Sequence, residues 1–362
     1  MKFNIQNKKN CDKASKGGSL KHIDKILMFP DNTNEDNKYL GNLVKTIGEF
    51  YQVDGNYSIK ASGIKKKLGY KIYWLNWYEN INTLKSFLKN TAILFMLKLF
   101  GKKIIWSIHN KASHENNVYS KWLFLLLKKI SSKIHILCQA TIQECNLQKY
   151  KKKIIYIPHG DYFNCYPQSN FNIFEYYSIP INHKILLFTG LIRPYKNIEL
   201  LIESFDKSDM SKNNWNLLIC GKIVDSYYET EVRALIMDKK NIIVDFNFIP
   251  DDKMSSYLTQ SSLLIAPYNK KSSLNSGTVW MAFSYSKTMI LPNIGCVRDL
   301  PNKNSFLYVY DYETRDEHFD NLVKALNNVN KDSALLEEKG KVAYKVMETN
   351  SWENNKEKWR FI

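Results

Sequence analysis

The clearest chemistry in the chain sits in eight consecutive residues, Gly190-Leu191-Ile192-Arg193-Pro194-Tyr195-Lys196-Asn197. They follow the apolar run Leu186-Leu187-Phe188-Thr189 and precede the amphipathic stretch Ile198-Glu199-Leu200-Leu201-Ile202-Glu203-Ser204-Phe205. A buried strand thus ends at a glycine, and a short loop presents an arginine and a lysine just ahead of a helix. Glycine permits close approach of a ligand to the backbone. The helix N-terminus favours anions, and guanidinium with ammonium supplies a fork and a point charge for phosphate oxygens. The same two charges equally suit a solvated loop, and their types and spacing leave both readings open.

Two further groups could take part in chemistry. Ile104-Ile105-Trp106-Ser107-Ile108 reads as a buried strand ending in His109-Asn110, with His114-Glu115 in the loop beyond. A histidine at a strand end is commonly structural, but strand C-termini are also where open parallel sheets collect ligands. Asn275-Ser276-Gly277-Thr278 leads into a helix beginning near Val279. These residues either cap that helix or offer backbone N–H and hydroxyl groups to a phosphate or sugar. The loops Pro30–Asn34 and Leu75–Glu79 are rich in Asn, Asp and aromatics, which suits sugar binding and suits turns as well; no catalytic role is assigned to Asp31 or Glu79.

The elements that position these groups alternate. Strand-like runs at Lys25–Phe29, Tyr70–Leu75, Lys103–Ile108, Lys133–Cys138 and Lys153–Ile157 are separated by helical patterns near 40–47, 83–100, 117–131 and 139–148. After an irregular stretch from Pro158 to Pro180 the alternation restarts. Strands are expected at Lys184–Thr189, Trp215–Cys220, Asn241–Val244, Ser262–Ala266 and Thr288–Leu291. Helices are expected at 196–206, 226–238, 252–260, 275–286, 316–328 and 333–347. Such alternation implies parallel sheets covered on both faces. Residues 1–24 form a polar, irregular leader; 25–165 and 166–350 are two domains, and 351–362 is a terminal helix that can cross back to the first.

Composition narrows the partners. At 362 residues, with 44% hydrophobic content, the chain suits two globular domains and not disorder. A formal net charge of +17 favours anionic partners such as phosphorylated molecules or an anionic membrane surface. Lys and Arg are spread along the chain and no nucleic-acid recognition motif is present, so nucleic acid is not expected. Six scattered cysteines suit reduced thiols, and the N-terminus lacks a signal-peptide core. A cytoplasmic protein is expected, peripheral at the inner face of the plasma membrane. Two stretches near 84–103 and 119–133 are basic and amphipathic. Each either packs its apolar face on the sheet or lays its lysine-rich ends on anionic headgroups.

The segment from Gly190 resembles the start of the C-terminal domain in GT-B glycosyltransferases of family 4, also called group 1, and divergent bacterial polysaccharide transferases. Four more landmarks follow the family's order: Ile157-Pro158-His159-Gly160, Leu217-Leu218-Ile219-Cys220-Gly221, Phe248-Ile249-Pro250-Asp251 and Ile265-Ala266-Pro267-Tyr268. The resemblance implies an α/β GT-B fold, two Rossmann-like domains facing a central cleft, over residues 25–360. It implies a hexosyltransferase using a nucleotide-diphospho-sugar, GDP- or UDP-linked, and a glycan or lipid-linked acceptor, in surface polysaccharide synthesis.

By the same resemblance, Gly190, Arg193 and Lys196 grip the diphosphate, and Gly221, Lys222 and Phe248 lie along the nucleotide. Asn275, Ser276, Gly277 and Thr278 meet the phosphate or sugar, and His109 meets the sugar or acceptor as the catalytic-site residue. No cofactor or metal is implied, since positive charge takes the metal's role and no Asp-x-Asp motif stands in the sequence. One departure is plain: where the family places two glutamates eight residues apart, this chain has Ser273 and Met281. That leaves open the sugar and the stereochemical outcome. It also leaves open a non-catalytic GT-B-like subunit that binds glycan or partner, and a sugar-nucleotide epimerase of the same fold.

Overall fold

The computed structural model describes residues 24–30, 37–55, 68–111, 117–223 and 225–362. The leader up to residue 23, Asp31–Asn34 and His114-Glu115 lie outside these. Two six-stranded sheets, each wholly parallel, organise the chain. In the first, β1 (Lys25–Phe29), β2 (Gln52–Gly55), β3 (Ile72–Asn76), β4 (Lys103–Ile108), β5 (Lys133–Ile136) and β6 (Ile154–Tyr156) run in the order β2-β1-β3-β4-β5-β6.

Inner strands of a parallel sheet are covered on both sides, and their sequences are apolar throughout for that reason. Ile26, Met28, Ile72 and Trp74 cluster with α1 (Lys38–Ile47). Leu27, Tyr73 and Leu75 point the other way, onto α2 (Leu84–Leu99) and α3 (Val118–Ile130). Side chains start these helices: Thr83 accepts from the Ser86 N–H at 3.2 Å, and Asn117 from the Tyr119 N–H at 2.8 Å. The sequence pattern gives no sign of β2. It is an edge strand with one apolar residue, Val53, so it lacks the run that marks an inner strand.

The second sheet holds β7 (Lys184–Thr189), β8 (Trp215–Cys220), β9 (Ile242–Asp245), β10 (Leu263–Ile265), β11 (Met289–Pro292) and β12 (Tyr308–Tyr310), in the order β12-β11-β10-β7-β8-β9. α4 (Ala140–Glu144) precedes β6 and α5 (Ile173–Tyr176) precedes β7; α6 (Ile198–Lys207), α7 (Ser226–Ile236), α8 (Asp251–Gln260), α9 (Gly277–Ser284) and α10 (Gly295–Arg298) stand between the strands of the second sheet, and α11 (Arg315–Lys331) and α12 (Leu336–Thr349) follow β12. β12 escapes sequence reading as β2 does, being three residues long at a sheet edge. Strand order reverses between β1 and β3 in the first sheet and between β7 and β10 in the second. Ligands of open parallel sheets bind at the carboxyl ends beside such reversals.

The chain ends in α13 (Trp352–Asn355) and a 3-10 stretch, Lys356–Phe361, in place of one continuous helix. Both tryptophans join the first sheet's core with Ile26, Met28 and Trp74. Trp359 is fully buried, its ring 5.6 Å from Trp74 and 5.2 Å from His135. Trp352 donates from its backbone N–H and indole N–H to the carboxylate and carbonyl of Asp161, at 2.9 and 2.8 Å. Its indole fills the space a side chain at Gly160 would need, since a Cβ there would lie 2.2 Å from it. Removing a buried tryptophan of this kind costs about 3–5 kcal/mol. Trp359→Ala is expected to lower unfolding free energy by that amount in urea titrations; a loss under about 1 kcal/mol would show that the terminal segment is not a structural part of the core.

Candidate functional site

The site is best built from the tip of β7. Gly190 leaves the strand at φ 123°, and Gly221 leaves β8 at φ 145°, both in the region that glycine favours. The two tips touch: a Cβ on Gly221 would sit 2.1 Å from the Gly190 carbonyl oxygen. Beyond them the Ile192 N–H donates to the Lys222 carbonyl at 2.9 Å, holding the loop in line with the sheet. A 3-10 turn, Pro194–Lys196, then carries the chain to Asn197, which is left-handed at φ 54°. Asn197 donates through Nδ2 to the Pro267 carbonyl at 2.7 Å, tying the loop to the end of β10.

This frame fixes Lys196. Its side chain is 8% exposed, with Nζ 5.6 Å from the ring centres of both Phe188 and Tyr268. A Cβ on Gly190 would stand 3.2 Å from that nitrogen, so the glycine leaves the ammonium its room. Burial lowers the lysine's pKa from its usual value, with Arg193 adding to the effect and Tyr268 opposing it. Among the described residues neither Arg193 nor Lys196 has a carboxylate partner. A buried cation is ordinarily paired, and here two aromatic faces take the place of the counter-charge. Such an arrangement is chemically suited to an anion.

Tyr268 links this cation to the second group. Its hydroxyl donates to Thr278 Oγ1 at 3.2 Å and accepts from Ser276 Oγ at 3.3 Å, while the Tyr312 hydroxyl donates to its carbonyl at 2.9 Å. Helix α9 begins at Gly277, between the two starts, residue 275 and Val279, that the sequence offers. Ser276 occupies the N-cap position, but its hydroxyl goes to Tyr268 and makes no capping bond. Ordinary side-chain capping therefore does not account for Ser276. A Cβ at Gly277 would lie 2.7 Å from the Tyr162 hydroxyl, which explains the glycine. Ser273 and Met281, where the resemblance expects glutamates, are both buried.

The first domain meets this loop at His109. Asn275 donates through Nδ2 to the His109 carbonyl at 3.1 Å, leaving its own Oδ1 buried and without a partner. The imidazole stacks on Trp77 with ring centres 4.1 Å apart, and its Nε2 lies 3.2 Å from Asn76 Oδ1. Burial, followed by His135 and His159, pushes its pKa well below the ordinary histidine value. The shift favours the neutral ring, which can accept a hydrogen bond through the nitrogen not facing Asn76.

Sequence reading missed several contributors. Lys111 crosses between the domains: its N–H donates to the Ser272 carbonyl at 3.4 Å, and its Nζ lies 2.8 Å from the Lys270 carbonyl and 2.7 Å from Glu144. Arg298 pairs with the same glutamate. Among so many lysines nothing marks Lys111, whereas Tyr268 already closes the Ile265–Tyr268 landmark. Phe248 stands exposed after β9, a free aromatic face, and Lys222 is exposed beyond Gly221. Among the described residues no hydrogen bond or ion pair joins either side chain to Lys196 or the 275–278 loop. Among the described residues no cluster of His, Cys, Asp or Glu could hold a metal ion.

Glu79 is a buried carboxyl just past β3, accepting from the Trp106 indole N–H at 2.9 Å. Burial raises its pKa to about 7. Its neutral form is therefore favoured by folding: the contribution is full below its usual pKa of 4.5 and is lost as pH rises through about 7. Glu79→Gln keeps the neutral shape. Its stability relative to the natural protein is expected to rise by about 3 kcal/mol from acid to mildly alkaline pH. Denaturant titrations across that range check this, and parallel pH curves for the two proteins would refute it.

Two parallel sheets with their reversals and loops arranged in this way define a two-domain α/β protein of the GT-B class. Residues 170–273 match the family described as glycosyl transferases group 1. The GDP-mannose:glycolipid 4-beta-D-mannosyltransferase of Xanthomonas campestris pv. campestris is 24% identical over 235 residues, which are 62% of this chain. The match spans 61% of that relative's length. Among solved structures, Anabaena Alr3699/HepE in complex with UDP superposes with a TM-score of 0.68 at 12% identity, over 94% of this chain and 97% of that one. A glycosyltransferase from Rickettsia africae ESF-5 gives 0.64 at 17% identity, over 93% and 97%. The chain has the GT-B fold, and its likeness in sequence is to group 1 glycosyl transferases.

Proposed function

We propose that the protein transfers a hexose from a GDP- or UDP-linked sugar to a glycan or lipid-linked acceptor, in bacterial surface polysaccharide synthesis at the inner face of the plasma membrane. The observation that carries this reading is the buried, unpaired Lys196 beside Arg193 at the strand-order reversal. Both relatives and site point the same way: the Xanthomonas relative is named for GDP-mannose and a glycolipid, and the Anabaena structure for its UDP.

In this reading the donor's diphosphate lies against Gly190, Arg193 and Lys196, with the start of α9 adding backbone donors from Gly277 and Thr278. As the glycosidic bond breaks, negative charge grows on the diphosphate, and fixed cations in a dry site stabilise it most at that moment. No divalent ion is needed for this. Phe248 offers a face for the base. Neutral His109 lies beside the loop that holds the sugar, positioned to take a hydrogen bond from sugar or acceptor. A second reading, a GT-B-like subunit that binds without transferring, is favoured by the absence of carboxylates at Ser273 and Met281. Thermal shift with UDP, GDP and their sugars separates the two, because a subunit without a donor site is not stabilised by any of them.

An unpaired buried cation costs stability, so Lys196 is expected to show opposite effects on folding and function. Lys196→Met should raise the melting temperature while reducing donor turnover about 100-fold or more, and Arg193→Ala should reduce turnover by about 10- to 100-fold. Donor hydrolysis and transfer at natural rates in both variants would sink the assignment.

A further inference from the structure

A cleft of about 440 Å³ opens where residues 163–170 meet α8, the end of α9 and α12. Its walls carry four aromatic rings: Phe163 lies 5.0 Å from Tyr344, and Tyr166 lies 6.5 Å from Tyr285. Each of the four side chains is half-buried, so part of each ring stays open. Asn164, Gln168 and Asn170 are exposed along the same cleft, and none of these amides is hydrogen-bonded among the described residues. The segment that bears them is irregular but fixed. Ser255 Oγ donates to the Pro167 carbonyl at 2.6 Å, Ser256 Oγ to the Ser169 carbonyl at 3.1 Å, and Gln260 Nε2 to the Phe171 carbonyl at 2.6 Å. The Tyr162 N–H, at the head of the segment, donates to Ser284 Oγ at 2.9 Å. A surface held in place beforehand loses less entropy when it is occupied.

The chemistry of the lining selects the ligand. Among the described residues no lining group is charged, in a chain with 52 basic and 35 acidic residues. The Lys38 ammonium stands 5.9 Å from the Tyr166 ring centre at the edge, but it is paired with Asp251. A phosphate or carboxylate would therefore find no unpaired cation there. A purely apolar molecule would cover the amides and hydroxyls without pairing them. What suits both parts is a neutral molecule with apolar C–H faces and a rim of hydroxyls, which is the make-up of a pyranose ring. Its C–H faces lie on aromatic faces, and its neighbouring hydroxyls donate to an amide oxygen and accept from an amide NH2. The volume is at the small end of the range for ligand pockets, about 300–1,000 Å³, and fits a short stretch of oligosaccharide.

We propose that this cleft is a second glycan site, which holds a neutral stretch of oligosaccharide away from the place of transfer. Helix α9 lies between the two: Ser284 at the cleft ends the helix, and Gly277 in the 275–278 loop begins it. At 1.5 Å per residue the two ends are about 10 Å apart, so the sugar held here is not the one being moved. The purpose of the site, keeping a glycan acceptor at the enzyme, rests on the transferase reading. Binding is measured without donor or transfer, so each can fail alone.

The experiment is ligand-observed NMR and titration calorimetry on the full chain, with unbranched hexasaccharides of glucose, mannose or galactose and no nucleotide. At least one of them is expected to bind with a Kd on the order of 1 mM. The affinity should be the same at low and high salt, because no charge takes part. The double variant Gln168→Ala, Tyr344→Ala should bind about tenfold less with an unchanged far-UV spectrum. Tyr344→Phe keeps the ring and should bind within about twofold of the natural protein. Arg193→Ala, and the natural protein saturated with UDP, should bind the hexasaccharide as the natural protein does alone. Binding of none of the three, equal binding by the double variant, or displacement by UDP would overturn the proposal. So would a natural dimer that the double variant turns into a monomer, because a second copy would then occupy the cleft.

Discussion

The second domain is arranged around one electrostatic constraint, an ammonium held in its interior without a counter-ion. A carboxylate beside Lys196 would have relieved the cost of burial, and would also have cancelled the charge that makes the site useful. The fold bears the cost through weaker, fixed interactions. Phe188 and Tyr268 turn their faces to the cation, Gly190 omits the side chain that would crowd it, and left-handed Asn197 pins its turn to Pro267. Gly221 is a consequence of the same demand, because the Gly190 carbonyl occupies the place of its side chain. A site preorganised in this way needs little rearrangement when an anion arrives, which is the property that electrostatic stabilisation requires.

The 268–278 loop beside this cation also joins the domains. Tyr268 touches Lys196 with its ring and Ser276 and Thr278 with its hydroxyl. A few residues away, Leu274 packs within the first domain's core, Asn275 holds the His109 carbonyl, and Lys111 reaches back to residues 270 and 272. The first domain is therefore bonded to the segment that shapes the anion site. On the far side, Trp352 and Trp359 fasten the end of the chain to the first sheet. Any change in the angle between the domains must act on the 268–278 loop, and so on the surroundings of the cation.

The legible parts of the sequence were those in which one local pattern has one physical cause. Inner strands such as Lys184–Thr189 and Trp215–Cys220 carry unbroken apolar runs because both faces are buried, and their limits agree with the structure. β2 and β12 have no such cause, since an edge strand of three or four residues takes its form from its neighbour. The glycine-to-lysine loop was visible because a strand end, a glycine and two charges fall within eight residues. The aromatic slot around Lys196 was not, because Tyr268 lies seventy-two residues away. Lys111 was hidden by abundance. In α2 the sequence left packing on the sheet and contact with headgroups both open, and only burial separates the inner set from the outer stripe.

The two missing glutamates acquire a physical meaning in this setting. Met281 belongs to the second domain's core, and Ser273 is a small buried residue beside Leu274. A carboxylate at either position would have to be buried with the 268–278 loop in its present form. That loop instead offers neutral groups: two hydroxyls bound to one tyrosine, the start of α9, and the unpartnered Asn275 Oδ1. If a sugar is held here, its hydroxyls meet neutral acceptors in place of carboxylates, while its diphosphate meets full charges. Hydrogen bonds between neutral groups are weaker than charge-assisted ones. Most of the donor's binding energy is then placed on the diphosphate, and selectivity among sugars is left to the shape of the loop.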